Sequence, residues 1–460
     1  MMACSQDGFL HPMLSGSVCK RVVFFAGCIL ANLAANCAAT EGVSGKREQG
    51  FVIFEDNQFY QNSLAGIRIR GNMPVTIKTC KIHSNGRAGI AIDRKGHVTV
   101  TGCDVYENGR AGVNIDEAGH TTIENSKIYK NTMAGIRIWR RGGKASDVVE
   151  VVDVKIANNR IYMNEQAGVR SMPQLESKVD LVVTGNDICE NGKAGLRVEN
   201  NTGLTAKGNR IRDNGTVGIV SHESVVPPVL DIYQNTVSFN NGPGIHVLSG
   251  KTGHIGIRNN WVYHNLRSGI VCALWGDPDI HRLNVDIINN TVVANGSSDQ
   301  GAGIRNDSKG RALIMNNIVA YNYVSGIRTK QCKDDSYNLL FANGDVANCC
   351  DDPHSAPYWV ERVQIGGCTE RGTGDLITDP LFVDPDNYDF RPKGGSPAID
   401  AGNGVDACND VFFPPSKGTD RNDMGATGGP YAAGPGLKQA GQDDSGLKVE
   451  GSKLNDDFGK

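Results

Sequence analysis

One phrase returns through most of this chain and limits what the chain can fold into. With the glycine of AGIRI and its variants as anchor, Gly66, Gly89, Gly112, Gly135, Gly168, Gly195, Gly218, Gly244, Gly269, Gly303 and Gly326 follow at spacings of 23, 23, 23, 33, 27, 23, 26, 25, 34 and 23 residues. A modal period of 23 with occasional insertions means a solenoid, in which each unit buries its apolar face only against its neighbours.

Other columns keep the same phase. Four residues before the glycine stand Asn62, Asn85, Asn108, Asn131, Asn164, Asn191, Asn214, Asn240, Asn265 and Asn322, with Asn295 in the inserted repeat. Seven before it the residue is apolar in the same ten repeats, from Phe59 and Ile82 to Val262 and Val319. Nine before it come Asn57, Cys80, Cys103 and Ser126, then Asn159, Asn186, Asn209, Asn235, Asn260 and Asn317. The apolar residues alternate with polar ones over short stretches such as Ile67-Arg-Ile69 and Val98-Thr-Val100, the period of strands, and no stretch of helical period intervenes. Units without helices exclude leucine-rich, ankyrin and tetratricopeptide repeats. What remains is a coil of parallel strands stacked on the next coil about 4.8 Å away. Asparagine suits its corners because it tolerates the left-handed conformation, and stacked amides can bond one another along the pile. The 57 glycines, without a G-X-Y period, point to many tight turns.

The phrase N-x-I-x-x-N-x-x-x-G-I-x-I resembles the right-handed parallel β-helix repeat of the pectate-lyase-like superfamily over residues 50–330. The resemblance implies an all-β, right-handed, single-stranded parallel β-helix solenoid of about eleven coils. It implies much less about activity, because that scaffold hosts polysaccharide lyases, epimerases and hydrolases as well as non-catalytic surface and periplasmic proteins. DPLFVDPDNYDFRPKGGSPAIDAG (379–402) and the later DMGA (423–426) resemble the terminal segment of bacterial exported β-helix proteins. The division expected is therefore a β-helix over 40–330, a loop-rich C-terminal cap over 331–430 closing the open end, and a Gly-, Asp- and Lys-rich disordered tail over 431–460. Family members usually carry extra coils or a cap before the regular repeats. Here the first strand, FVIF at 51–54, begins early, which leaves a first coil that could self-associate.

At the other end, Lys20 and Arg21 precede VVFFAGCILANLAA, and small residues follow up to Ala39. Residues 1–39 thus read as a signal peptide and the protein as exported, periplasmic, cell-surface or secreted. The apolar run is too short for a membrane span and no other approaches ~20 residues. A formal net charge of −3 gives no reason to expect nucleic acid. Of 13 cysteines, Cys332, Cys349, Cys350, Cys368 and Cys408 crowd the C-terminal third, which in an exported protein reads as a disulfide-stapled cap. Cys80 and Cys103 stand in adjacent coils as buried filler or as a disulfide. No Cys/His cluster has zinc spacing.

Because the two isoleucines of Gly-Ile-Arg-Ile face inward, the residue between them faces out. That column reads Arg68, Ala91, Asn114, Arg137, Arg170, Arg197, Val220, His246, Val271, Arg305, Arg328, and its companion two residues on reads Arg70, Asp93, Asp116, Trp139, Met172, Glu199, His222, Leu248, Ala273, Asp307, Lys330. Together they form a strip about 48 Å long, enough for several units of an extended polymer. Insertions follow this strand at 139–153, 171–180, 221–228 and 272–284, and bring Trp139, Arg140, Arg141, His222, Trp275, Asp277 and His281 toward it. Repeats two and three share ID-x-x-GH, which sets Asp93 beside Asp116 and His97 near His120.

By resemblance, this face is where lyases and epimerases of the superfamily hold acidic sugars, with carboxylates binding Ca²⁺ and an Arg or Lys taking a proton. Guanidinium groups suit the task, since they clamp a uronate carboxylate and stabilise the enolate-like charge left when its α-proton departs. The candidate catalytic residues are Asp93, Asp116, Arg170, Arg197, His222 and His246, with Asp93 and Asp116 also the candidate Ca²⁺ ligands. The candidate substrate-binding residues are Arg68, Asn114, Arg137, Trp139, Trp275, Arg305 and Arg328. A second reading stands beside this one: a solvated face in which Asp116 and Glu199 neutralise Arg137, Arg170 and Arg197. The expectation is an exported protein that binds, and as lyase or epimerase could process, an acidic polysaccharide. The alternative is a non-catalytic surface or periplasmic binding or structural module, and the sequence leaves open whether it is an enzyme.

Overall fold

The computed structural model describes residues 51–432 except 71–72, 94–96, 117–118, 140–150, 175–176, 224–228, 250–252, 275–282, 298–300, 308–310, 330–334 and 345–371, and the backbone alone of 19–25, 28–34 and 45–48. Short strands wind into three parallel sheets that run the length of a right-handed solenoid. Eleven successive strands of the first sheet, Ile67–Arg70 to Ser325–Thr329, are those that follow the anchor glycines. The second sheet begins its parallel run at Phe51–Glu55 and the third at Gln58–Tyr60. Inward positions supply a continuous core of Ile, Val and Leu, such as Ile67, Ile90, Val113 and Ile136 one above another. The alternation read from the sequence is the observed burial: in Ile67–Arg70 the isoleucines are buried and the arginines half-exposed. At the first coil the core ends on two phenylalanines, Phe54 and Phe59, packed edge to face at 5.8 Å.

The asparagine columns do one of the two jobs expected of them, bonding amide to amide along the stack, while the left-handed conformation falls one residue earlier. The left-handed residue at each corner is the one just before the column: Gln61, Ser84, Glu107, Lys130 and Met163 have φ between 51° and 53°. Asn62, Asn85 and their successors point inward. From Asn62 to Asn343 each side-chain amide donates to the Oδ1 of the asparagine one coil on, at 2.8–3.0 Å. A second ladder runs in the same sense from Asn159 to Asn338. Each Oδ1 also accepts the backbone N–H of the previous asparagine, so the turn's buried donors are satisfied. Cys80, Cys103 and Ser126 continue the second column toward the N-terminus, Cys103 Sγ accepting from Cys80 N at 3.4 Å and Ser126 Oγ from Cys103 N at 3.0 Å. Both cysteines are buried free thiols.

The anchor glycines answer a contact rather than a tight turn. A Cβ on Gly135 would stand 2.7 Å from Ile161 Cγ2, 2.8 Å from Asn164 Nδ2 and 2.8 Å from Gly168 O, atoms of the following coil. Stacking at strand spacing leaves no room there for a side chain.

Before the first coil, Gly45–Glu48 pairs antiparallel with Phe51–Glu55, and Cys19–Phe25 and Cys28–Ala34 pair with each other, the former beside Ile67–Arg70. At the far end Leu376–Ile377 adds a rung to the third sheet, and Asp375 Oδ1 accepts Asn338 N at 2.6 Å. The rest of the described C-terminal segment folds back along the solenoid's flank. Phe382, Phe390, Ala398 and Met424 pack on Val293, Ile318, Ala320 and Leu339. Side chains of Asn289, Asn259 and Gln234 then hold carbonyls of Gly425, Gly428 and Tyr431, running down coil by coil. Tyr431, grouped with the tail by composition, is docked there; residues 433–460 lie outside the described residues. Cys408 carries a free thiol, and the other four cysteines of this region are likewise outside them. No helix among the described residues is long and apolar enough to cross a membrane.

Candidate functional site

Strand pairing puts the outward column in register without a break: Arg68, Ala91, Asn114, Arg137, Arg170, Arg197, Val220, His246, Val271, Arg305 and Arg328 are successive ladder partners. The column is not uniform. Ala91 and Asn114 interrupt the arginines in coils two and three, and their short side chains leave space between Arg68 and Arg137. A cleft of about 380 Å³ opens there. Its lining includes Arg68, Arg87, Asp93, Arg110, Asn114, Asp116, Arg137 and Trp139, over a floor of alanines at 65, 88, 91 and 111. Trp139 closes one end with the Arg137 guanidinium 4.6 Å from its ring centre.

Within the cleft, Asp93 and Asp116 are direct ladder partners, as ID-x-x-GH required. Asp93 Oδ2 takes Arg68 Nε at 2.5 Å and Arg70 Nε at 3.2 Å, and Asn114 Oδ1 accepts from Arg137 Nη1 at 3.2 Å. A calcium ion takes six to eight oxygens, mostly from carboxylates and carbonyls. Here one of two carboxylates is already shared by two arginines, and no group of three or more His, Cys, Asp or Glu converges among the described residues. The donor set does not fit a resident Ca²⁺.

Farther along, the arginines are compensated. Arg170 and Arg197 share Glu199 Oε1, at 3.0 and 2.6 Å, and Arg305 Nε meets Asp307 Oδ2 at 2.7 Å. For these residues the solvated, ion-paired reading describes the geometry. His222 and His246 stand on neighbouring strands. Burial, then the charges of Arg305 and His222, hold His246 below the usual imidazole value. Val220 and Val271 flank His246 in the outward column and are nonetheless buried, so this stretch is more enclosed than a bare strip. Trp275, Asp277, His281, Arg140, Arg141 and Lys330 lie outside the described residues. His97 and His120 stack at 5.0 Å at the head of the second sheet, where His120 Nδ1 lies 2.9 Å from Asp153 Oδ2.

Two cleft residues escaped the sequence reading. Arg87 and Arg110 stand two before their glycines, in the turn leading into the first sheet, and are exposed. Strand alternation does not extend into that turn. Reading the column at minus two, as was done at plus two, would have found them.

The family described as a right handed beta helix region matches residues 19–169 and 89–265. No curated protein matches the chain. Among solved structures, a pectate lyase, Pel9A, aligns over 81% of this chain and 76% of its own at 15% identity, with a TM-score of 0.35. The A-module of the Azotobacter vinelandii mannuronan C-5 epimerase AlgE6 aligns over 72% and 91% at 13% identity, with a TM-score of 0.37. The periplasmic alginate epimerase AlgG aligns over 58% and 79% at 13% identity, with a TM-score of 0.27.

Proposed function

As the chain belongs to the right-handed β-helix family, we propose that it is an exported protein that binds an acidic polysaccharide in the cleft over its first four coils. The observation that carries this reading is the cleft itself: four arginines and a tryptophan around a small-residue floor, against two carboxylates. Guanidinium forks pair with carboxylate or sulfate groups, and an indole beside them offers an apolar wall for a sugar face. Arg68, Asn114, Arg137 and Trp139 are the binding residues of the original set that the cleft holds; Arg305 and Arg328 mark the far end of the same face.

The chemistry available to such a site begins with removal of the proton beside the uronate carboxylate. Asp116 is positioned as the base and Arg137 as the group that steadies the resulting negative charge. Elimination or epimerisation would both start from that step. One observation favours binding alone: most arginines farther along the strip are held by their own acids. Incubation with pectate, alginate and chondroitin sulfate, with and without Ca²⁺, decides between them. Unsaturated product seen by ultraviolet absorbance establishes a lyase, and solvent deuterium entering C5 without cleavage establishes an epimerase. Binding without either leaves a binding module. Absence of binding across the panel sinks the reading.

A further inference from the structure

The outward cations fall into two classes. Four of the six arginines in the AGIRI column are compensated by acids: Arg68 by Asp93, Arg170 and Arg197 by Glu199, Arg305 by Asp307. The cations two before the anchor glycines are not. That column reads Leu64, Arg87, Arg110, Met133, Gln166, Lys193, Thr216, Gly242, Arg267, Gly301, Val324 and contains no acid. Its backbone forms a ladder of its own, with Arg87 N, Arg110 N, Met133 N, Gln166 N, Lys193 N and Thr216 N each donating to the carbonyl one coil back. Arg87, Arg110, Lys193 and Arg267 are all exposed, and among the described residues none meets a carboxylate. The residue before each is glycine in coils two and three, Gly86 and Gly109.

We propose that this turn column, and not the AGIRI column, reads the ligand's charge: Arg87 and Arg110 together grip its acidic groups, and Lys193 and Arg267 take further ones along the same line. The inference rests on the polysaccharide reading of the cleft. An anion meeting a paired arginine must displace an acid already hydrogen-bonded to it, whereas one meeting Arg87 or Arg110 displaces only water. Spacing then describes the ligand. Arg87 and Arg110 are one coil apart, ~4.8 Å, while Arg110, Lys193 and Arg267 follow at three-coil intervals, ~14 Å. A linear polyanion with acidic groups on one side fits, lying along the solenoid axis and spanning ~19 Å to reach Lys193 or ~34 Å to reach Arg267. A compact anion such as a single sugar acid engages only the first pair.

The test is titration of size-fractionated oligogalacturonates and oligomannuronates into the full-length protein and into variants. Arg87→Gln with Arg110→Gln should weaken binding about a hundredfold, at least tenfold more than Arg170→Gln with Arg197→Gln. Lys193→Gln should weaken only chains long enough to reach it. Arg160→Gln with Arg210→Gln, which together remove an equal charge from the third sheet, controls for net charge, and melting temperatures control for folding. Wild-type protein that binds no acidic glycan overturns the polysaccharide reading and this inference with it. Binding that survives loss of Arg87 and Arg110, or affinity that stops rising before a chain can span to Lys193, overturns the inference alone.

Discussion

The asparagines inside the coil and the arginines outside it recur at the same spacing, yet they behave as different kinds of repetition. Inside, twelve asparagines from Asn62 to Asn343 make the same bond eleven times, and no other residue type interrupts them. Outside, the AGIRI column holds arginine at six of eleven positions, and the acids that meet those arginines differ from coil to coil, Asp93, Glu199 and Asp307 among them. Inward recurrence answers a constant demand, since every coil buries the same turn donors. Outward recurrence answers local charge, and its exceptions, Ala91 and Asn114, are what open the cleft.

The largest effect should come from breaking the inner ladder. Asn164→Leu keeps the branched shape but takes the acceptor from Asn131 N and breaks the links to Asn131 Nδ2 and Asn191 Oδ1, all buried. At least about 3 kcal/mol of stability should go, measured by denaturant unfolding; a loss below 1 kcal/mol would make the ladder incidental. Next comes Gly135→Ala, where the added methyl group must push Ile161, Asn164 and the Gly168 carbonyl. A cost of about 1–3 kcal/mol is expected, and a neutral outcome would return the glycine to turn chemistry. On the outside, Glu199→Gln should cost about 1 kcal/mol or less, because both of its arginines are partly solvated. An effect as large as that of Asn164→Leu would erase the contrast.

The smallest effect concerns His246. Its imidazole is held below the ordinary value chiefly by burial, then by Arg305 and His222, so folding favours the neutral ring. Its contribution is intact above the ordinary imidazole value, about 6.5, and is lost as pH falls from there toward the depressed folded value. Melting temperatures of wild type and His246→Gln should therefore run parallel above neutrality and converge on acidification. Constant separation from pH 7.5 to 5 would show that the ring does not titrate in this window.

The fold was legible because inward positions admit few residue types. Ile67, Ile90 and Val113, read at period two within strands and 23 between them, are the core in the order expected. The roles assigned to the conserved phase were less accurate. The amide stacking was read correctly, but the left-handed conformation falls one residue before each column, on Gln61 or Met163 at one corner and on asparagines such as Asn158 and Asn259 at the other. The site was half legible. Asp93, Asp116, Asn114 and Arg137 could be placed together from strand alternation, whereas Arg87 and Arg110 sit in a turn that alternation does not describe. The flank-hugging C-terminal segment was also out of reach, since its course depends on corner amides of Asn259 and Asn289.

The amide chains have a direction. Every link donates from the N-terminal coil to the C-terminal one, so each ladder begins on a donor and finishes on an acceptor. Another identical coil always fits such a series, and nothing in the pattern tells it when to end. Asp375 takes the amide's place at the C-terminal end of the second ladder, accepting from Asn338 without passing a donor on. Of the two ladders, the one ending at Asn338 thus closes on a carboxylate and the one ending at Asn343 on an amide that turns back to the Val319 carbonyl.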